Sequence, residues 1–259
     1  MKSIELGLGL IGIGREWGNV PSSIPDETKA VNFLKESVNL GISFLDTAPS
    51  YGSSERKLGL FLNTIDDDER EKLFISTKFG EHWDEEKNQS YVDHSYEALC
   101  RSIDQSINFL KRIDLIQLHK SNPEVLISQD FYKSLEYARR KGIFNFGASV
   151  GDLVSGEIAI RSKDISIIQI PFNESNQSLE KLIDLSVENN KTLIINRPFN
   201  SGKSILTETT DEEKRKALTD SFKFILRKPF KGFILTGTTS ISHLKENMKA
   251  FEIAKKIGY

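Results

Sequence analysis

Short apolar runs recur along this chain, and longer segments with one apolar and one polar face separate them. The runs read as strands over Leu6–Ile11, Ile42–Asp46, Leu73–Lys78, Ile113–His119, Ile143–Ala148, Ser166–Ile170, Thr192–Ile195 and Gly232–Leu235. Most are short and nearly uniformly apolar, as expected of strands buried on both faces. Helical patterns lie between them. Asp26–Leu40 opens on Pro25-Asp26-Glu27, with acids where a helix N-terminus favours them, and stops at Gly41. Tyr91–Leu110 follows Ser90 as its N-cap, and Phe131–Lys141 stops at Gly142.

Doubly buried strands alternating with helices predict a parallel sheet, because parallel neighbours need long crossovers. Eight such units predict an α/β fold closed as a (β/α)8 TIM barrel rather than an open doubly wound sheet. The open sheet would carry Gly-x-Gly-x-x-Gly between its first strand and helix. Here Gly7-Leu8-Gly9 and Gly12-Ile13-Gly14 fall inside and just after the strand, and the segment from Arg15 to Ser23 has no helical pattern. That fingerprint is excluded. The chain's 259 residues suit one barrel, and no repeat, linker or low-complexity tract divides it, so a single domain over 1–259 is expected.

With 38% hydrophobic and 28% charged residues the chain can build a large core. A formal net charge of -2 gives no basic surface for nucleic acid or an acidic membrane. The run Asp66-Asp67-Asp68-Glu69, followed by Arg70, Glu71 and Lys72, reads as a solvated turn, and no metal site is expected. Cys100 is the sole cysteine, so no intrachain disulfide is available; its helical setting reads as small core packing. Met1 to Glu5 leads straight into a strand-like run with no signal-peptide pattern, and no apolar stretch reaches bilayer length. The expected location is cytoplasmic and the expected assembly a monomer or weak oligomer.

In a barrel of this type chemistry sits at the C-terminal rim, so polar residues that close apolar strands carry the functional signal. Three strands end in Asp46, Lys78 and His119, and Tyr51 follows Asp46 in a loop with Pro49 and Gly52. Each alone has an ordinary structural explanation: a cap, a buried ion pair, a satisfied histidine, a packed ring. Together they form an acid–base device. A free tyrosine titrates near ~10 and is a poor proton shuttle at neutral pH. A nearby ammonium favours the phenolate, a carboxylate keeps that ammonium charged, and histidine can hydrogen-bond a substrate oxygen.

The segment Gly41-Ile42-Ser43-Phe44-Leu45-Asp46-Thr47-Ala48-Pro49-Ser50-Tyr51-Gly52-Ser53-Ser54-Glu55, continued by Lys57-Leu58-Gly59, resembles the signature of the aldo-keto reductases. Ile75-Ser76-Thr77-Lys78, Asp114-Leu115-Ile116-Gln117-Leu118-His119, Phe146-Gly147-Ala148-Ser149 and Gly237-Thr238-Thr239-Ser240 resemble further signatures in the same order. The resemblance implies a nicotinamide-dependent enzyme acting on a small carbonyl or alcohol, with NADP(H) as cofactor and NAD(H) as the alternative. It makes Tyr51 the proton donor, with Lys78 lowering its pKa, Asp46 holding Lys78 and His119 orienting the substrate.

By the same resemblance Ser149 and Gln169 would hold the nicotinamide carboxamide, with Val150 standing where the family has Asn. Asn196 and Arg197 stand where an aromatic ring commonly stacks. The loop Phe199–Ser204, with Ser201, Gly202 and Lys203, would follow the diphosphate, and Thr238, His243 and Asn247 the adenosine end. Trp17 and Trp83 fall in rim loops as apolar walls. Short loops and a start almost at strand one predict an open pocket without the family's N-terminal hairpin. Two other functions are weighed: a cofactor-binding, redox-sensing subunit with vestigial catalysis, and an aldolase using Lys78 as a Schiff base.

Overall fold

The computed structural model describes residues 4–18, 23–203 and 210–257; Ser204, at the end of the expected diphosphate loop, lies outside them. Eight parallel strands close into a barrel in chain order: β1 (Ile4–Gly9), β2 (Phe44–Asp46), β3 (Phe74–Phe79), β6 (Leu115–Leu118), β7 (Phe146–Ser149), β8 (Ile167–Pro171), β9 (Thr192–Asn196) and β10 (Gly232–Thr236), which pairs back to β1. All eight predicted strands are present.

Several start later than the apolar pattern suggests, and for β2 and β7 the reason is common. Gly41 and Gly142 take positive φ values of 102° and 88° and end their helices. The amides of Ile42 and Ile143 then bond back to the carbonyls of Ser37 and Ala138, so both isoleucines finish a helix instead of beginning a strand. The predicted helix starts at 26 and 131 hold to within two residues: Asp26 and Ser128 are the N-caps of Glu27–Asn39 and Gln129–Arg140.

Four expectations need correction. The helix expected over Tyr91–Leu110 begins at Tyr96, capped by Ser95 rather than Ser90. Gln89–Val92 (β5) instead pairs antiparallel with Glu81–Asp84 (β4), where the Tyr91 and His82 rings stack at 5.1 Å. The rim loops are therefore not uniformly short. Asp67–Glu71 forms a short exposed helix capped by Asp66, not a plain turn. Cys100 is only half-buried.

Side chains alternate across each strand, and the barrel interior is graded from apolar to charged along the strand direction. Phe44, Leu115, Ile167, Ile194 and Leu235 fill its lower part with Phe74 and Phe233. The Phe44 ring stacks on Phe74 and Phe233 at 5.5 and 4.0 Å. Gly7 makes room for this layer, since a Cβ there would meet Leu235 and Phe44 at 2.8 Å. One interior step further up stand Asp46, Ser76, Gln117 and Gln169, and then Lys78. The outer strand faces pack against the helices in one larger apolar cluster. Among the described residues no helix is long and apolar enough to cross a membrane.

Candidate active site

The chemistry begins where the interior alternation turns polar. Asp46 registers opposite Ser76, and Lys78 opposite Gln117, so four inward side chains converge. Lys78 Nζ donates to Asp46 Oδ2 at 2.5 Å and to the Thr47 carbonyl at 2.9 Å. The other Asp46 oxygen accepts from Ser76 Oγ and Gln117 Nε2, each at 3.0 Å, and Gln169 Nε2 lies 3.5 Å from Oδ2. This ion pair is almost wholly buried, which would cost several kcal/mol without such complete hydrogen bonding. Burial works against the ammonium, but Asp46 and Tyr51 outweigh it and hold Lys78 above the ordinary amine range.

Tyr51 crosses above this pair, with Lys78 Nζ 4.7 Å from its ring centroid. The loop that carries it is fixed to the β1 end: Ser53 N donates to the Gly14 carbonyl, and a Cβ on Gly14 would overlap the Tyr51 carbonyl at 1.8 Å. Burial pushes the Tyr51 phenol up, and the attraction of Lys78 offsets this only in part. Lys78 pulls the phenol downward, as the sequence predicts, but desolvation is the larger effect.

His119 meets Tyr51 edge to face, with ring centroids 6.0 Å apart. Its Nδ1 lies 2.9 Å from Glu81 Oε2 and 3.3 Å from Ser50 Oγ. Glu81 reaches it because Gly80, at φ 98°, reverses the chain after β3 and packs against His94, where a Cβ would stand 2.4 Å from the imidazole. Ser90 Oγ, from the other hairpin strand, donates to Glu81 Oε1 at 3.0 Å. Burial alone would raise the Glu81 carboxyl, but His119 and Lys120 hold it down at about 2. Burial likewise pushes His119 down, while Glu81 pulls it up. We assign an ionised Glu81 accepting from Nδ1–H, which leaves Nε2 as the nitrogen open to substrate.

Ser149 and Gln169 are register partners at the ends of β7 and β8. Gln169 Oε1, Gln117 Oε1 and Asn196 Oδ1 are buried without a hydrogen-bond partner, an unusual cost that a ligand amide would relieve. Arg197 follows at φ 54° with its guanidinium 5.3 Å from the Trp17 ring centroid. Asn200, Ser201 and Gly202 also have positive φ. Such clustering of left-handed residues is costly, and the amides of Asn200 and Gly202 tie the turn together by donating to the Arg197 and Phe199 carbonyls. A cavity of about 490 Å³ lies here, lined by Trp17, Arg197, Asn200, Ser201 and Lys203 among others. Phe199 differs: its ring packs edge to face on Phe222, against the core. Thr238 Oγ1 accepts from Ser240 N ahead of the last helix, Ile241–Ile257, on which His243 is exposed and Asn247 buried.

The residues not singled out from the chain were Ser76, Gln117, Glu81 and Arg15. Ser76 and Gln117 had a usable signal, since each sits two positions before a rim residue and so shares its face. Glu81 had none, because the Gly80 reversal and the hairpin bring it in.

A closed parallel barrel with an ionised lysine–carboxylate pair beneath a rim tyrosine defines the class: a (β/α)8-barrel oxidoreductase. The profile of the Aldo/keto reductase family matches residues 5–222, and the chain belongs to that family. It is similar to an uncharacterized oxidoreductase, YqkF, of Bacillus subtilis, with 25% identity covering 95% of this chain and 86% of that protein. D-arabinose 1-dehydrogenase of Saccharomyces cerevisiae is 31% identical over 56% of this chain and 42% of its own. Among solved structures, a Pseudomonas aeruginosa protein described as an aldo-keto reductase superposes with a TM-score of 0.80 at 28% identity, covering 96% of this chain and 90% of that one.

Proposed function

We propose that this protein is an NADP(H)-dependent reductase of small aldehydes or ketones, with NAD(H) as the alternative cofactor and one domain over the whole chain. The observation that carries the reading is Lys78 Nζ lodged between the Asp46 carboxylate at 2.5 Å and the face of Tyr51 at 4.7 Å. The nicotinamide, when bound, supplies the hydride. Tyr51 supplies the proton to the carbonyl oxygen, in a site where preorganised donors meet growing negative charge. Its raised pKa keeps the phenol protonated at neutral pH, which favours reduction; alcohol oxidation needs the phenolate and should gain as pH rises. Lys78, fixed by Asp46, keeps a positive charge under the phenol in both directions.

His119 orients the substrate oxygen through Nε2. In the neutral imidazole this nitrogen accepts from an alcohol. With a proton on Nε2, balanced by Glu81, it donates to a carbonyl. Gln169, Ser149 and Asn196 fit the carboxamide, for which the orphaned oxygens of Gln169 and Asn196 are the support. Arg197, Ser201, Gly202 and the Phe199 backbone fit the phosphates, and Thr238, His243 and Asn247 the adenosine end. A redox-sensing subunit with vestigial catalysis has no use for a costly buried ion pair beneath Tyr51 and is disfavoured. An aldolase would need Lys78 neutral, whereas Asp46 holds it charged.

The test is turnover of reactive aldehydes with NADPH and with NADH. Reduction with a preference for NADPH is expected. Tight binding of either cofactor without turnover of any aldehyde would overturn the reading.

A further inference from the structure

Among the described rim arginines that form no ion pair, Arg15 and Arg197, only Arg15 has a buried nitrogen without a hydrogen-bond partner and lies beside the Tyr51 ring. Arg56, Arg70, Arg112 and Arg139 each form an ion pair, but among the described residues Arg15 forms none. Its Nε is buried without an acceptor. The guanidinium carbon instead lies 5.2 Å from the Trp83 ring centroid, 5.9 Å from Trp17 and 6.0 Å from Tyr51. Three aromatic rings thus flank a half-buried guanidinium beside the proposed proton donor. Cation–π contacts stabilise the charge but satisfy none of its N–H donors. The two carboxylates that act on Tyr51 are already engaged, Asp46 by Lys78 and Glu81 by His119, and Glu16, next in the chain, forms no ion pair with Arg15 among the described residues.

The position is also held rigidly. Arg15 follows Gly14, whose carbonyl accepts from Ser53 N and Ser53 Oγ, and its Cβ lies close to Gly52 in the Tyr51 loop. Arg15 and Tyr51 are therefore carried on one backbone unit, and with the guanidinium carbon 6.0 Å from the Tyr51 ring centroid an acceptor on it would lie beside that ring.

Resting on the reductase reading, we infer that Arg15 is a specificity-determining residue that binds a carboxylate on the substrate, so that the natural substrate is a short oxo acid. The planar guanidinium edge matches a carboxylate bidentately, and the flanking rings reduce competition from water. The carbonyl then falls to Tyr51 and His119, with at most a few bonds between the two groups.

The experiment compares 4-oxobutanoate with its methyl ester under the same cofactor, for wild type, Arg15→Gln and Arg15→Lys. The wild type is expected to favour the acid in kcat/KM by about 30- to 100-fold, the worth of a charge-assisted hydrogen bond. Arg15→Gln should lose that preference through KM, and Arg15→Lys should restore part of it. The chain's two tryptophans, Trp17 and Trp83, both contact Arg15, so tryptophan fluorescence of the cofactor-free protein reports on this site. The Arg15→Gln comparison separates it from Arg197, which also lies over Trp17. Butanoate should perturb this fluorescence in the cofactor-free wild type and not in Arg15→Gln, while butanol should do so in neither. Equal use of acid and ester by the wild type would overturn the inference. So would an equal loss on both substrates in a folded Arg15→Gln, or a loss confined to cofactor affinity. Absence of all turnover with the butanoate response intact would reject the reductase reading and leave the carboxylate site standing; absence of both rejects the two together.

Discussion

Strand β3 presents a buried polar system on each of its faces, and the two behave in opposite ways. On the inner face Ser76 and Lys78 meet Asp46 in a fully bonded ion pair. On the outer face Thr77 Oγ1 and Ser106 Oγ donate to Glu55 at 2.6 and 2.7 Å, with no cation bonded to it, and burial pushes that carboxyl up to about 7. Glu81, just past the strand, is buried as well, yet its neighbours His119 and Lys120 hold it near 2. Burial is common to all three sites. What differs is the cation: where the chain supplies one, charge is kept for chemistry, and where it supplies hydroxyls alone, the carboxyl is a scaffold that drifts toward neutrality.

The sharpest way to break this contrast is Lys78→Met. It strands Asp46 without its cation, and a stability loss of about 3–5 kcal/mol by urea unfolding is expected, along with a fall in turnover on the order of 10³-fold. A variant as stable as the wild type would show that the inner pair does not need its charge. Next is Glu81→Gln, expected to lower kcat for carbonyl reduction on the order of 10²-fold. Because Glu81 raises the affinity of His119 for its proton, the limb of the pH–rate profile that falls with rising pH should move to lower pH in this variant. Superimposable profiles would deny Glu81 its positioning role.

Smaller effects follow away from the chemistry. Arg197→Met should weaken NADPH binding about tenfold by fluorescence titration, as expected for one charged hydrogen bond. Unchanged affinity would move the phosphate loop elsewhere. Glu55→Gln tests the outer face. The folded-state pKa of Glu55 lies above its unfolded value, so its stabilising contribution is full below about 4.5 and is lost as pH rises through about 7. The wild type should therefore lose stability across that window by at most about 1.4 kcal/mol per pH unit from this group. The variant should show a flatter Tm against pH, and an unaltered slope would mean that Glu55 is not the group responsible.

Much of this architecture was legible from the chain because parallel barrel strands advertise themselves twice, by apolar runs and by the helix stops between them. The rim residues were legible because Asp46, Lys78 and His119 close or follow apolar runs, where a charge has no structural excuse. What stayed hidden depends on long-range geometry. The β4–β5 hairpin reads as helix around Tyr91 because its pairing partner Glu81–Asp84 is set by a glycine reversal. The burial that opposes Lys78 at Tyr51 was not legible, because a sequence names the neighbouring charge but not the degree of desolvation. Phe199 sits by position in the loop proposed to bind phosphate, yet its ring packs on Phe222. Arg15 had no signal at all, since an arginine in a loop declares itself only when its surroundings lack a carboxylate.

The central claim is that the Tyr51 hydroxyl, poised above Lys78, delivers the proton. Single-turnover reduction of an aldehyde by preloaded Tyr51→Phe, with cofactor affinity measured on the same sample, tests it most directly. Hydride transfer is expected to slow on the order of 10³-fold with the Kd for NADPH essentially unchanged. Transfer at close to the wild-type rate would place the proton donor elsewhere and contradict the account.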